Sequence, residues 1–379
     1  MVGLSFGAVD ITPAQERTLN HLIGRGPAAP ADPGLADRVR ADIEARLEDA
    51  GIVPGIPPIW LGKHRLNDKQ RCEGFFDAGM QREGPAFEHS SRTAVGALLH
   101  KAIEIDIATE RGADPATVCH RAAERLTQDD QGLDRFWVTL DAFDRAETVA
   151  DAGRHLWLFR ESFPPLQRRW APQPELHLKA RLAVGSLVLS GTPDLVLGRS
   201  RRLALDFKTG GAWPEHAEDM RFYALLLLLR TGVPPYRVAT FFLDSGEWQP
   251  EDVTPEMVGR AADRVVDAAC AAEEIRRGRA PALTPGPYCD WCPRRPSCPA
   301  ARAAFQADSD GETTSVHGLL LNGTPTYGSL VPSAPTSGDG ATVRRNVDGE
   351  GPVPDRPDPS IGRGPPPYVR AGHPARAVR

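Results

Sequence analysis

The spacing of hydrophobic and polar residues divides the chain into a helical part and a strand-rich part. Up to about residue 155, apolar residues recur every three or four positions, which is typical of helices with one buried face. We predict a loosely structured arm over the first 34 residues, which are rich in Gly, Pro and Ala. Helices are predicted at 35–50, 90–107, 115–127 and 131–153.

From residue 175 onward, apolar and polar residues alternate, which is typical of strands. The segments 175–184 and 187–197 are expected to pair as a hairpin, and 202–207 is a third strand. A helix at 215–231, a strand at 236–243 and a helix at 255–278 follow. This order predicts an α/β fold in which a mixed central β-sheet is flanked by helices, with helical insertions.

The composition is that of an ordinary globular protein, with 41% hydrophobic and 25% charged residues. The net charge of -5 gives no overall basic character, so any nucleic-acid binding would depend on local patches. The most apolar run, 222–229, is far shorter than the roughly 20 residues of a membrane-spanning helix. The N-terminus lacks a secretion signal. We therefore expect a cytoplasmic protein without membrane contact, in which disulfides are rare.

The composition changes after about Asp308, where Gly and Pro rise to about three residues in ten, a level associated with low complexity. We predict a disordered tail over 306–379 and a main domain over 65–305. Residues 1–64 form the N-terminal arm and its helix.

Two carboxylates and a lysine stand out in the strand-rich part. Asp206 and Lys208 are two residues apart at the end of a strand, so their side chains share one face, while Phe207 points to the other. Asp194 lies on the preceding strand and can come alongside Asp206. Carboxylates bind Mg²⁺ or Mn²⁺, and a lysine can orient water and offset developing negative charge. This combination suits phosphodiester hydrolysis.

The pattern Gly191-x-x-Asp194, followed by Asp206-x-Lys208, resembles the PD-(D/E)XK nuclease superfamily and, within it, the RecB-type exonuclease branch. The resemblance covers roughly 65–300 and implies a restriction-endonuclease-like core. It also implies that Asp194 and Asp206 hold the metal and that Lys208 is catalytic.

Two further positions match that branch. Its Gly-x-x-x-His pattern falls on Gly96 to His100, which implies that His100 is an additional metal ligand. Its Gln-x-x-x-Tyr pattern falls on Asp219 and Tyr223, which makes Tyr223 a candidate catalytic residue. The glutamine is absent, so the function of that residue in the family is lost or is supplied differently.

Three of the six cysteines, Cys289, Cys292 and Cys298, lie within ten residues, a spacing typical of metal or iron–sulfur ligation. Cys72 is the candidate fourth ligand. Similarity to the iron–sulfur members of the RecB-type branch implies a structural 4Fe-4S cluster, and zinc is the alternative because four thiolates also bind Zn²⁺. Cys119 and Cys270 are expected to be ordinary core residues.

The resemblance implies a metal-dependent deoxyribonuclease of DNA repair or recombination, acting as an exonuclease or on single strands or DNA ends. No phosphate-binding loop is present, so any helicase would be a separate subunit. The alternatives are an inactive iron–sulfur DNA-binding or scaffolding subunit and a CRISPR-adaptation nuclease. Arg294, Arg295 and the run Arg168–Trp170 are candidate nucleic-acid contacts.

Overall fold

The computed structural model describes residues 11–23, 32–85 and 87–310. From residue 311 onward, the predicted disordered tail lies outside these residues. The tail prediction is wrong for 306–310, because these residues complete a helix that begins at Pro299. No helix in the described ranges is both long and apolar enough to cross a membrane.

The described helices are α1 Pro13–Ile23, α2 Leu35–Asp49, α3 Lys63–Arg71, α4 Glu73–Met80, α5 Ser91–Ala108, α6 Pro115–Asp129, α7 Gln131–Thr139, α8 Ala142–Ser162, α9 Pro214–Thr231, α10 Pro255–Arg276 and α11 Pro299–Asp310. The described strands are β1 Ile59–Leu61, β2 Gln173–Pro174, β3 Leu178–Leu182, β4 Leu187–Gly191, β5 Leu195–Leu197, β6 Leu203–Lys208, β7 Arg237–Phe242 and β8 Glu247–Asp252.

The strands form two mixed sheets rather than one. The smaller sheet has the order β1-β4-β3, and the larger has the order β2-β5-β6-β7-β8. In the larger sheet only β6 and β7 run parallel, because α9 connects them as a crossover. The predicted α/β fold with mixed sheet structure flanked by helices is confirmed.

Two hydrophobic cores cover opposite faces of the larger sheet. Ala204 and Val238 face a core built with α2, α9 and α10, which also receives the inner face of the smaller sheet. Leu205, Phe207 and Phe241 face a second core formed by α5, α6 and α8. The alternation along β6 therefore places Asp206 on the α9 side of the sheet.

Several predicted boundaries differ from the structure for local reasons. The predicted helix at 131–153 is divided because Leu140 is extended and the Asp141 side chain caps the start of α8. The predicted strand at 187–197 is interrupted before Asp194, so its two halves belong to different sheets. The arm predicted over the first 34 residues contains α1, whose Leu19 and Leu22 are buried.

Candidate active site

Asp194 and Asp206 lie side by side at one end of the larger sheet. Antiparallel pairing aligns Leu195 of β5 with Leu205 of β6, and this register places Asp194, immediately before β5, next to Asp206. The Phe207 backbone N–H donates a hydrogen bond of 2.6 Å to Asp194 Oδ2. Both carboxylates are buried, with 8% and 1% relative exposure respectively.

His100 reaches this end of the sheet from α5. Its Nδ1 atom lies 3.1 Å from Asp194 Oδ1 and 3.6 Å from Glu175 Oε1. One ligand atom from each of the three residues fits within 4.8 Å of the others. Burial alone would lower the pKa of His100, but the two carboxylates outweigh it and raise the pKa to about 10. His100, Glu175 and Asp194 therefore surround a position at which a positive charge is stabilised.

Two lysines face Asp206. Lys208 Nζ forms a short ion pair with Asp206 Oδ2, and Lys63 Nζ of α3 lies 3.6 Å from Oδ1. Burial opposes ionisation of Asp206, but the two ammonium groups hold its pKa below the usual range. Asp206 Oδ1 is buried and accepts no hydrogen bond from the described residues.

Asp219 and Tyr223 of α9 complete the site. Asp219 is buried, accepts a 3.0 Å hydrogen bond from Asn67 Nδ2 and lies 3.8 Å from Lys63 Nζ. The Tyr223 ring lies beneath Lys63, with 5.3 Å between Nζ and the ring centroid. The Tyr223 hydroxyl donates to the Thr192 carbonyl at 2.9 Å, two residues before Asp194.

Gly191 permits this packing of α9 against β4. A Cβ atom at this position would lie 2.9 Å from Tyr223 Cε1 and 3.3 Å from a ring carbon of Phe222. Two aromatic rings therefore approach the backbone closely at Gly191. Burial raises the pKa of Tyr223 further above its ordinary value, so the phenol stays protonated.

The family model of the PD-(D/E)XK nuclease superfamily matches residues 64–299, which is more than half of the chain. The chain belongs to this superfamily. The match includes His100, Asp194, Asp206, Lys208 and all four clustered cysteines.

Two solved structures are similar to this superfamily member, with low TM-scores and low sequence identity. One is a candidate exonuclease from Eubacterium rectale, with a TM-score of 0.38 and 12% identity over 64% of this chain and 87% of that one. The other is SSO0001, with a TM-score of 0.26 and 16% identity over 54% of this chain and 95% of that one. Both are too distant to carry an argument about activity. No curated protein matches the sequence.

PD-(D/E)XK nucleases use divalent metals, and the donor atoms at this site suit such an ion. Carboxylate oxygens and a neutral imidazole nitrogen are ordinary ligands of Mg²⁺ or Mn²⁺. His100, Glu175 and Asp194 offer three ligand atoms close together. Asp206 adds a buried oxygen without a hydrogen-bond donor, which a cation would satisfy.

The sequence analysis missed two residues of this site, Glu175 and Lys63. Glu175 precedes β3 with a φ of +48°, so strand alternation does not reveal where its side chain points. Lys63 begins α3, a helix that was not predicted. The charged residues at the start of segment 63–71, which has few apolar residues, were a weak signal for Lys63 alone.

The four clustered cysteines of this nuclease-superfamily chain come together away from the carboxylates. Cys72, Cys289, Cys292 and Cys298 all line one cavity of about 230 Å³, and none forms a disulfide. Cys72 lies between α3 and α4, whereas the other three lie on or beside two short 3₁₀ turns. The cavity therefore connects the start of the superfamily match with its end.

Backbone N–H groups point at two of the sulfurs. The Thr284 N–H lies 3.5 Å from Cys72 Sγ, and the Gly286 N–H lies 3.4 Å from Cys289 Sγ. Such hydrogen bonds accompany thiolate ligation. Cys119, in contrast, is buried in the second core, where burial raises its thiol pKa to about 12.

Most of the candidate nucleic-acid contacts outside the site are engaged within the protein, whereas Arg169 is exposed. Trp170 is buried and cannot stack on a base. Arg294 pairs with Asp77 and Glu83, and Arg295 pairs with Asp290. Arg294 therefore ties the cysteine segment to α4 and the loop after it, and the predicted DNA-contact function finds no support in its geometry.

Proposed function

We propose that this protein is a metal-dependent deoxyribonuclease that hydrolyses phosphodiester bonds, acting as an exonuclease or on single strands in DNA repair or recombination. One observation carries the proposal. In a PD-(D/E)XK superfamily member, Asp194, Asp206 and Lys208 meet at one end of a sheet, with His100 and Glu175 against Asp194.

His100, Glu175, Asp194 and Asp206 are the residues that would hold Mg²⁺ or Mn²⁺. The bound ion would supply charge neutralisation at the scissile phosphate and a more acidic water. His100 must lose its proton to bind the ion. Asp206 stays ionised because Lys208 and Lys63 face it.

Lys208 is the residue placed to act on the attacking water. Its side chain lies at the end of β6, 23% exposed, beside the carboxylate that would bind the ion. An ammonium at this position orients the water and offsets negative charge that develops on the phosphate. Tyr223 acts at a distance, because its hydroxyl fixes the Thr192 carbonyl and thereby the segment that leads to Asp194.

The test is Mg²⁺- or Mn²⁺-dependent degradation of end-labelled DNA by the wild type and by Asp206→Ala. We expect cleavage by the wild type and a loss of at least about 10²-fold in the variant, because a preorganised charge at the reacting group is removed. Asp263→Ala is the matched control, since this carboxylate on α10 pairs with Arg46 at the surface. Equal activity in wild type and Asp206→Ala would overturn the proposal.

We also propose that Cys72, Cys289, Cys292 and Cys298 bind a structural 4Fe-4S cluster, as in the iron–sulfur members of the RecB-type branch. The cavity between the thiols and the N–H groups directed at two sulfurs support this assignment. Anaerobically purified protein should be brown and absorb near about 400 nm, with about four irons bound per chain. Colourless protein with one zinc would establish the zinc alternative.

An inactive DNA-binding or scaffolding subunit is the second candidate function, and the acidic residue at position 219 favours it. In that case DNA would be retained on a gel without cleavage in either metal. A separate helicase partner remains part of the proposal, because a nuclease that acts on single strands would need another protein to unwind duplex DNA.

A further inference from the structure

The outward face of the smaller sheet carries an unusual set of side chains. Strand alternation directs His177, Lys179 and Arg181 to the side opposite the hydrophobic core, while Leu178, Ala180 and Leu182 are buried. Trp60 of the edge strand β1 lies on the same face and is 49% exposed. The described part of this face thus presents three basic residues and an indole.

These groups are available for a ligand. Lys179 Nζ lies over the Trp60 ring, 4.3 Å from its centroid. Neither Lys179 nor Arg181 has an ion-pair partner among the residues that the structure describes. The nearby Glu44 is paired with Arg40 and accepts a hydrogen bond from the Ala183 N–H. A polyanion would therefore meet positive charge that no carboxylate neutralises.

The face is continuous with the candidate active site. His177 Nδ1 lies 3.3 Å from Thr192 Oγ1, and the Thr192 carbonyl accepts the Tyr223 hydroxyl. Glu175, two residues before His177, contacts His100. Along β3 the basic side chains recur about every 6.8 Å, because residues two apart on a strand share a face.

We propose that this face, defined by Trp60, His177, Lys179 and Arg181, binds the unpaired DNA strand that leads into the nuclease site. This inference rests on the proposed function and specifies its substrate as single-stranded DNA. Basic side chains along a strand match a phosphate backbone, and an exposed indole gives one base a surface on which to stack. On binding, the Lys179 ammonium would move from the Trp60 ring to a phosphate, and the exposed ring would then be available to the adjacent base.

The test measures binding of fluorescein-labelled oligo(dT) to the full-length protein by anisotropy, in EDTA so that no strand is cut. Lys179→Ala/Arg181→Ala should lower affinity about tenfold or more. It should also reduce the slope of log K against log salt by about 1.4, because each phosphate contact on a single strand contributes about 0.7. The matched control is Arg121→Ala/Arg125→Ala, which removes two exposed arginines of α6, a helix of the second core on the other side of the larger sheet.

Trp60→Leu separates stacking from charge. Leucine keeps an apolar side chain beside Val188, with which Trp60 is paired, but removes the ring. We expect affinity for oligo(dT) to fall roughly 5- to 150-fold with an unchanged salt slope. Binding of a blunt-ended DNA duplex of two strands, which offers no unpaired base, should not respond to this substitution.

Equal oligo(dT) affinity in the wild type and the Lys179→Ala/Arg181→Ala variant would overturn the inference, and so would an equal loss in the control pair. A Trp60→Leu effect of the same size on the blunt-ended duplex would overturn the assignment to single strands. Because binding is measured without cleavage, this failure is distinct from failure of the nuclease proposal, which is judged by comparing DNA cleavage by the wild type and by Asp206→Ala in Mg²⁺ or Mn²⁺.

Discussion

The carboxylate–lysine site and the cysteine cavity are built in opposite ways. The first lies at the end of hydrogen-bonded strands, where Asp206 faces two lysines and Asp194 accepts a backbone hydrogen bond. The second is lined by short turns and a loop, and its four thiols face a cavity of about 230 Å³. Opposing charges of the protein itself therefore fix the first site, whereas the second depends on what the thiols bind.

Because the two sites are built differently, we expect substitutions in the first to affect cleavage and substitutions in the second to affect stability. A substitution in the carboxylate–lysine site should reduce cleavage more than it reduces folding, because the surrounding strands keep their hydrogen bonds. A substitution in the cysteine cavity should reduce folding first, because the proposed cluster would join residue 72 to residues 289–298 across more than 200 residues of sequence.

The largest expected effect is on cleavage by Asp194→Asn. The amide keeps an oxygen for the Phe207 N–H, so the fold should persist, but the charge that would bind the metal is lost. We expect the cleavage rate in Mg²⁺ to fall by at least about 10²-fold with little change in urea unfolding. A variant that retains cleavage within about threefold of wild type would show that Asp194 is not a metal ligand.

Much of this site could be predicted because its chemistry lies on regular elements. Asp194, Asp206 and Lys208 fall within fifteen residues on two strands, where alternation determines which side chains share a face. Glu175 was not predicted as a site residue because its own positive φ breaks the strand alternation before β3. Lys63 was not predicted because it is more than 140 residues away from Asp206 in sequence. Their contact depends on how α3 packs against α9.

The fold, too, was predicted only where it follows from local sequence periodicity. Long helices and the strands β3, β6 and β7 were predicted, since each has a clear period. The break between β4 and β5 was not predicted. Residues 190–194 interrupt the apolar pattern, but only tertiary packing assigns the two halves to separate sheets. The short helices α3 and α4 lack a strong apolar period, although Leu66 and Phe76 are buried.

The next largest expected effect is a loss of stability in the Cys292→Ser variant. Loss of one thiolate should release the cluster and with it the closure of a loop of more than 200 residues, at a cost on the order of 3–5 kcal/mol. Thermal and urea unfolding would measure the loss, while cleavage at low temperature should be retained in part. Cys270→Ser is the control, because Cys270 packs on α10 away from the cavity. Equal unfolding curves for both variants would contradict a structural cluster.

A smaller effect is expected from the pair formed by Lys63 and Asp219. Each single substitution, Lys63→Met or Asp219→Asn, leaves a buried charge with fewer partners, whereas the double variant removes both charges. We expect the double variant to be more stable than the sum of the two losses predicts, by about 1–2 kcal/mol. Additive losses in urea unfolding would show that Lys63 does not compensate for the acidic residue at 219.

The smallest effect is a pH dependence of the metal-free protein. The pKa of His100 is raised from 6.5 to about 10, so the folded state holds a proton that the unfolded chain releases at lower pH. The resulting stability is fully present below about pH 6.5 and is lost as pH rises toward 10. With solvent screening we expect a loss on the order of 1 kcal/mol.

Urea unfolding in EDTA at pH 6.5 and pH 9.5 would measure this loss in the wild type and in His100→Gln. The variant lacks the titrating group, so its stability should change less between the two pH values. Addition of Mn²⁺ should reverse the trend in the wild type, because the metal binds the neutral imidazole and its affinity grows with pH. If stability changed equally with pH in both metal-free proteins, Asp194 and Glu175 would not raise the pKa of His100 in the folded state.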